Sequence, residues 1–227
     1  MVQAAYMKYK QIHSIIFDLD GTLIDSRQDI ISCLGQAYST IGYVPPEAIE
    51  SIQIGPPIVE MIRMISPSLG EDQQVSIVNQ FRQLYDQHDH PETSLYEGVR
   101  LLISNLSSAG INLYIATNKP QFVTRVIIER LFGTSNPFSD MVCIDSIPGR
   151  KMSKTEMLRM LATKWALNPG MTIMVGDSSH DIVAAHNNGF LSVGVLGGYG
   201  NPDDVKRAEA TYLVESVVQL ETVFNVD

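Results

Sequence analysis

Cysteine is scarce in this chain, and the two that occur, Cys33 and Cys143, lie far apart with no CxxC spacing. That usage fits neither a disulfide framework nor a zinc site, so buried free thiols in a reducing cytoplasm are the expectation. Basic residues are also in deficit: 16 Lys and Arg stand against 25 Asp and Glu, a formal charge of -9. A surface of that sign repels phosphate backbones and anionic headgroups, which argues against nucleic acid or a membrane as partner. No apolar run reaches the ~20 residues that a spanning helix needs, because Asp, Lys, Asn, Gln or Gly interrupts each one. Met1 to His13 carries Lys8 and Lys10 but no apolar h-region, and reads as a short extension on a cytoplasmic protein. Internal repeats and low-complexity tracts are missing too.

What is present suffices for a sizeable core: 227 residues, 44% hydrophobic and only 18% charged. Four short apolar runs end abruptly in polar residues, namely HSIIFDLD (13–20), INLYIATN (111–118), MTIMVGD (171–177) and LSVGVLGG (191–198). Continuous rather than alternating apolar character predicts parallel strands buried on both faces. Between them lie helical patterns. Val99, Leu102, Ile103 and Leu106 recur at helix spacing before Gly110; Leu158, Leu161, Ala162 and Trp165 follow Ser153 and Glu156, a capping-box pair. Strand and helix in alternation predict an α/β fold, a doubly wound parallel sheet. From Ser26 to Glu92 no buried strand is evident, only amphipathic stretches punctuated by Gly and Pro. The expected organisation is a core of residues 1–25 and 93–227 with residues 26–92 inserted as a small helical domain.

In open α/β sheets ligands sit beyond the carboxyl ends of the strands. Three of those ends carry polar clusters: Asp18-Leu19-Asp20-Gly21-Thr22, Ala116-Thr117-Asn118-Lys119, and Gly176-Asp177-Ser178-Ser179-His180-Asp181. Asp18 and Asp20 stand at i and i+2, and a turn straight after the strand can aim both into the crevice. Carboxylates gathered there repel unless a cation or proton is shared. Oxygen donors without His or Cys suit Mg²⁺ better than zinc, and the cation would recruit an anionic substrate to an acidic protein.

FDLDGTLIDS (17–26), Thr117, and GDSSHDIVAAHNNG (176–189) resemble, in order, the first, second and fourth motifs of the haloacid dehalogenase superfamily phosphatases. The insert is similar to the C1 cap of phosphoglycolate phosphatase-like members. The resemblance implies an Mg²⁺-dependent phosphomonoester hydrolase acting on a small phosphorylated metabolite such as 2-phosphoglycolate. It implies Asp18 as the nucleophile that becomes an aspartyl-phosphate and Asp20 as general acid and base. The implied metal group is Asp18 and Asp177 through carboxylates and Asp20 through its backbone carbonyl, with Asp181 positioning ligands or a bound water. Thr117 and the Asn118 backbone N–H would bind the transferring phosphoryl oxygens.

The third motif is a lysine, and many C1 members read Lys-Pro where this chain has Gly149-Arg150-Lys151-Met152-Ser153-Lys154. Lys154 is favoured over Lys151 because it opens a helix, where a cation is disfavoured unless an anion sits beside it. For substrate choice, Ile54-Gly55-Pro56-Pro57 resembles a cap specificity loop, and Arg63, about two helical turns on, could pair a substrate carboxylate. Three rival readings remain. β-Phosphoglucomutases resemble one another in carrying His in the early cap where this chain has Ile30; dehalogenases lack the second Asp; a non-catalytic binding module would need none of these residues. His88 and His90 read as a solvated loop near the hinge, and His180 and His186 as weak signals. Oligomeric state has no sequence signal.

Overall fold

The computed structural model of the chain describes residues 12–133 and 135–224; most of the Met1 to His13 extension lies outside them. The chain runs β1 (Ser14–Phe17), β2 (Ile24–Asp25), α1 (Arg27–Thr40), α2 (Ile58–Ile65), α3 (Glu71–Asp86), β3 (Ser94–Leu95) and α4 (Val99–Ser108). It continues through β4 (Asn112–Thr117), α5 (Gln121–Phe132), β5 (Asp140–Cys143), α6 (Lys154–Trp165), β6 (Thr172–Gly176) and α7 (Ser179–Asn187). It ends with β7 (Leu191–Val195), α8 (Pro202–Arg207), β8 (Tyr212–Val214) and α9 (Leu220–Phe224). Among the described residues no helix is long and apolar enough to cross a membrane.

Six strands form one parallel sheet in the order β5-β4-β1-β6-β7-β8. The apolar runs of the sequence are buried on both faces because alternate residues serve two cores. Ile15 and Phe17 join Leu113, Ile115, Ile173 and Val175 on one side with α4 and α5; Ile16 joins Tyr114, Met174, Leu158 and Ala184 on the other with α6 and α7. The four expected strands are β1, β4, β6 and β7. β5 and β8 were not expected from the sequence: they are short outer strands, only partly buried, so their apolar signal is weak.

Strand order reverses at β1, whose neighbours β4 and β6 lie on opposite sides. Register then aligns the strand ends. Phe17 is level with Ile115 and Val175, so Asp18 emerges beside Ala116 and Gly176, one residue short of Thr117 and Asp177. The crevice at that point is where open α/β sheets bind ligands. The helices α1, α2 and α3 all lie between β2 and β3, which pair antiparallel as a two-residue ribbon. α1 and α2 each pack on α3, and α3 also touches α5.

Candidate active site

The first strand's continuation carries two carboxylates. Asp18 N donates to Val175 O at 2.8 Å, extending the sheet by one residue, and the chain then turns tightly, with Leu23 N and Ile24 N donating to Leu19 O. Gly21 has φ +82 in that turn, a left-handed conformation suited to glycine, and a Cβ there would stand 2.3 Å from Asp177 Oδ2. The turn therefore packs directly on the carboxylate at the end of β6.

Lys154 comes from the first turn of α6. Ser153 caps the helix, its hydroxyl accepting from Glu156 N while Ser153 N donates to the Glu156 carboxylate at 2.8 Å. This fixes the entry of α6 and sends the Lys154 ammonium to Asp18 Oδ1 at 2.7 Å, Ala116 O at 2.9 Å and Asp181 Oδ1 at 2.9 Å. Lys151 points elsewhere, to the rim of a cavity with Arg82 and Ile144.

Asp177 is held from three sides. Its Oδ2 accepts from Tyr199 N at 2.6 Å and Gly200 N at 3.0 Å, and its Oδ1 from the Thr22 hydroxyl at 3.2 Å. Asp181, fully buried, caps α7 by accepting from Ser178 N at 3.1 Å and the Ser178 hydroxyl at 2.6 Å. Its other oxygen accepts no hydrogen bond and has only the Lys154 ion pair.

Three carboxylates thus gather around one ammonium that pairs with two of them, Asp18 and Asp181. Oxygens of Asp18, Asp177 and Asp181 lie within 4.8 Å of one another. Burial pushes the Asp18 carboxyl up to about 8, with Lys154 opposing and Asp181 and Asp177 adding to the rise. Burial, then Asp181, lifts Asp177 to about 6 against the N–H donors of Gly200 and Tyr199. Burial works against the Lys154 charge, but Asp18 and Asp181 more than offset it and hold the amine protonated. An all-oxygen donor set with a surplus of negative charge fits a hard divalent cation, and its lack of imidazole or thiolate suits Mg²⁺.

Asp20 projects away from this cluster. Its Oδ1 is 3.0 Å from the Lys119 ammonium and accepts from the Ser26 hydroxyl. Lys119 is itself buried, donates to Tyr85 OH at 2.9 Å and is kept protonated by Asp20 and Tyr85 despite burial. Thr117 is buried at the end of β4, its hydroxyl accepting from Lys119 N at 3.1 Å. The Asn118 amide reaches over to Gly55 O at 3.1 Å, tying the strand end to the loop before α2. Beside Asp20 a cavity of about 110 Å³ opens between that loop, α3 and the strand ends, and Gly55 and Ile30 line it. Arg63 does not: it lines an adjoining cavity with Asn79, Arg82 and Lys151.

A family model for haloacid dehalogenase-like hydrolases matches residues 15–195, which include every one of the four motif segments. The chain belongs to this family. Phosphoglycolate phosphatase of Vibrio vulnificus is 31% identical over 224 residues, 94% of this chain and 96% of its own. Tyrosine-protein kinase PtkA of Mycobacterium tuberculosis is 34% identical over 203 residues, 89% of this chain and 68% of that protein. A solved structure described as a predicted phosphoglycolate phosphatase from Haemophilus somnus superposes with a TM-score of 0.81 at 26% identity, covering 94% of this chain and 98% of that one.

Several residues around this hydrolase site were not anticipated from the sequence. In the sequence Lys119 is one residue of a polar strand end; in the fold it is the partner of Asp20. Gly198 ends an expected strand run and Gly200 carries no expectation, whereas added Cβ atoms would stand 2.3 Å from Asp177 Cβ and 2.0 Å from Asp177 O. The glycine-rich run after β7 was the available signal. The expectation of a solvated loop at His88 and His90 is corrected: His90 is 1% exposed and packs edge-on to Tyr85, and His88 Nε2 lies 2.9 Å from Asp29 Oδ1. Asp29 also accepts from Thr93 N at 2.7 Å and the Thr93 hydroxyl at 2.6 Å, so α1 grips the segment leading to β3.

Proposed function

We propose that this phosphatase is an Mg²⁺-dependent phosphomonoester hydrolase working through an aspartyl-phosphate on Asp18. The observation that carries the reading is a buried Asp18 at the switch point, 2.7 Å from the Lys154 ammonium and clustered with Asp177 and Asp181. An Asp18 carboxylate oxygen attacks phosphorus, the ester P–O bond breaks, and the leaving alkoxide takes a proton from Asp20. Water then attacks phosphorus, Asp20 takes back a proton, and inorganic phosphate leaves with the Asp18 carboxylate restored. Lys154, the Thr117 hydroxyl and the Asn118 backbone N–H stabilise charge on the phosphoryl oxygens. Lys119 and Ser26 orient the Asp20 side chain, leaving its backbone carbonyl to the metal. Asp18, Asp177 and that carbonyl would hold Mg²⁺, with Asp181 supporting the site, and the ion would supply positive charge against the dianionic phosphoryl group.

Residues 26–92 act in this reading as a cap domain on a core of residues 1–25 and 93–227, supported by the packing of α1 and α2 on α3 and by the β2–β3 ribbon. Ile30 lines the cavity where a mutase of this type would carry His, which favours water as the phosphoryl acceptor. Buried free Cys33 and Cys143 support a cytoplasmic setting. The substrate is a small phosphorylated metabolite, and 2-phosphoglycolate, named for a relative, is the first compound to assay. Phosphate release with and without Mg²⁺ tests the reading. Metal-dependent release that disappears in Asp18→Asn is expected, because an amide cannot accept the phosphoryl group; full activity in that variant overturns the mechanism.

A further inference from the structure

The cavity beside Asp20 has an uneven chemistry. Its walls are apolar, formed by Ile30, Ile54, Met61 and Phe81, and the cation nearest the reacting end, Lys119, is already engaged by Asp20 and Tyr85. A carboxylate only two carbons from phosphorus would face hydrocarbon there. At the far side the sign changes. Arg82 and Lys151 line both this cavity and the adjoining one that holds Arg63, so they stand where the two meet. Among the described residues none of these three cations is ion-paired with a carboxylate. Burial and the nearby Arg82 and Arg63 charges hold the Lys151 amine below its ordinary range, with Glu60 opposing. Asp86 shares the rim, its carboxyl raised by burial against the pull of Arg82, with Asp145 adding to the rise. All three cationic side chains are exposed, so an incoming anion can reach them.

We infer that Arg82 and Lys151 form a subsite for an anionic tail, and that the enzyme takes phosphomonoesters whose alcohol has an apolar body ending in that anion. This rests on the phosphatase reading above and narrows it: phosphoryl group at Asp18, apolar segment against Ile30, Met61 and Phe81, tail at Arg82 and Lys151. The chemistry follows the usual division of a ligand pocket, hydrophobic walls for affinity and a few charged groups for orientation.

The test uses the full chain with Mg²⁺ and two matched pairs of probes. For binding, 3-[4-(phosphonomethyl)phenyl]propanoate is compared with 4-propylbenzylphosphonate by calorimetry; for turnover, the corresponding aryl phosphates are compared by phosphate release. Wild type is expected to favour the carboxylate-bearing member about tenfold in Kd, the size of a pair of partly exposed charge contacts. The preference should fall toward unity in Arg82→Ala/Lys151→Ala and shift toward the 2-aminoethyl analogue in Lys151→Glu. Each ratio is taken within one variant, so a change in folded fraction does not affect it. Equal binding of both probes by wild type, or a preference untouched by the double variant, overturns the subsite. Failure of turnover alone, with the binding preference intact, overturns the hydrolase reading and leaves the subsite standing.

Discussion

Asp18, Asp177 and Asp181 are carboxylates that water would keep apart, and the fold confines their oxygens to within 4.8 Å with one ammonium among them. The repulsion is relieved by a cation, so Mg²⁺ should stabilise the folded chain. At a hundredfold excess over Kd the gain is about 2.7 kcal/mol, a Tm rise of roughly 5–10 °C. Thermal denaturation with and without Mg²⁺ checks this, and Asp177→Asn should shrink the rise. Gly21 is the second residue-scale test. Alanine there takes a left-handed φ costing about 1–2 kcal/mol and brings its Cβ 2.3 Å from Asp177 Oδ2. Gly21→Ala should lower Tm by roughly 2–8 °C and weaken Mg²⁺ binding through displacement of Asp177, both readable in one denaturation series.

At the scale of elements, α6 shows how a helix cap aims a side chain. Ser153 and Glu156 satisfy each other's backbone donors, which sets the first turn and with it the direction of Lys154. Ser153→Ala should cost about 1 kcal/mol, a Tm loss of roughly 2–4 °C, and should depress kcat beyond that loss because Lys154 is no longer aimed at Asp18. Calorimetry beside steady-state kinetics separates the two. The capping pair was legible in the sequence because it is local, four residues reading one another. β5 and β8 were not, since a short outer strand gets its identity from the neighbour it pairs with rather than from its own apolar content.

For the whole molecule, the junction between the insert and the sheet is a buried polar network. His90 is 1% exposed and its Nδ1 has no hydrogen-bond partner. Burial, Lys119 and His88 drive its pKa from 6.5 to about 4, with Asp29 opposing. The imidazole is thus neutral in the fold while the unfolded chain takes up a proton near its ordinary value. Stability from this group is complete above about pH 6.5 and is lost as pH falls toward about 4, the unfolded state binding more protons across that window. Asp18 and Asp177, with raised carboxyls, act in the opposite direction over the same window, so the His90 share is read against His90→Asn, whose side chain tolerates the φ of 52: denaturant midpoints from pH 7 to 4 should show wild type losing stability relative to that variant.

The sheet's interior and the clustered carboxylates were legible in the amino-acid sequence. Buried parallel strands need continuous apolar runs, and the polar residues that end those runs are local facts of the chain, so Asp18, Asp20, Thr117 and Asp177 could be read directly. Lys154 was legible too, as the cation opening a helix, but which carboxylates each cation meets came from the fold. Lys119 joins Asp20, Lys154 joins Asp18 and Asp181, and Lys151 departs to the rim with Arg82, all through contacts between segments distant in sequence. The same holds for the glycines cradling Asp177 and for His90, whose burial comes from packing against Tyr85. A side chain's reach and charge are written in its residue type, but its partner is set by the register of strands and the crossing of helices.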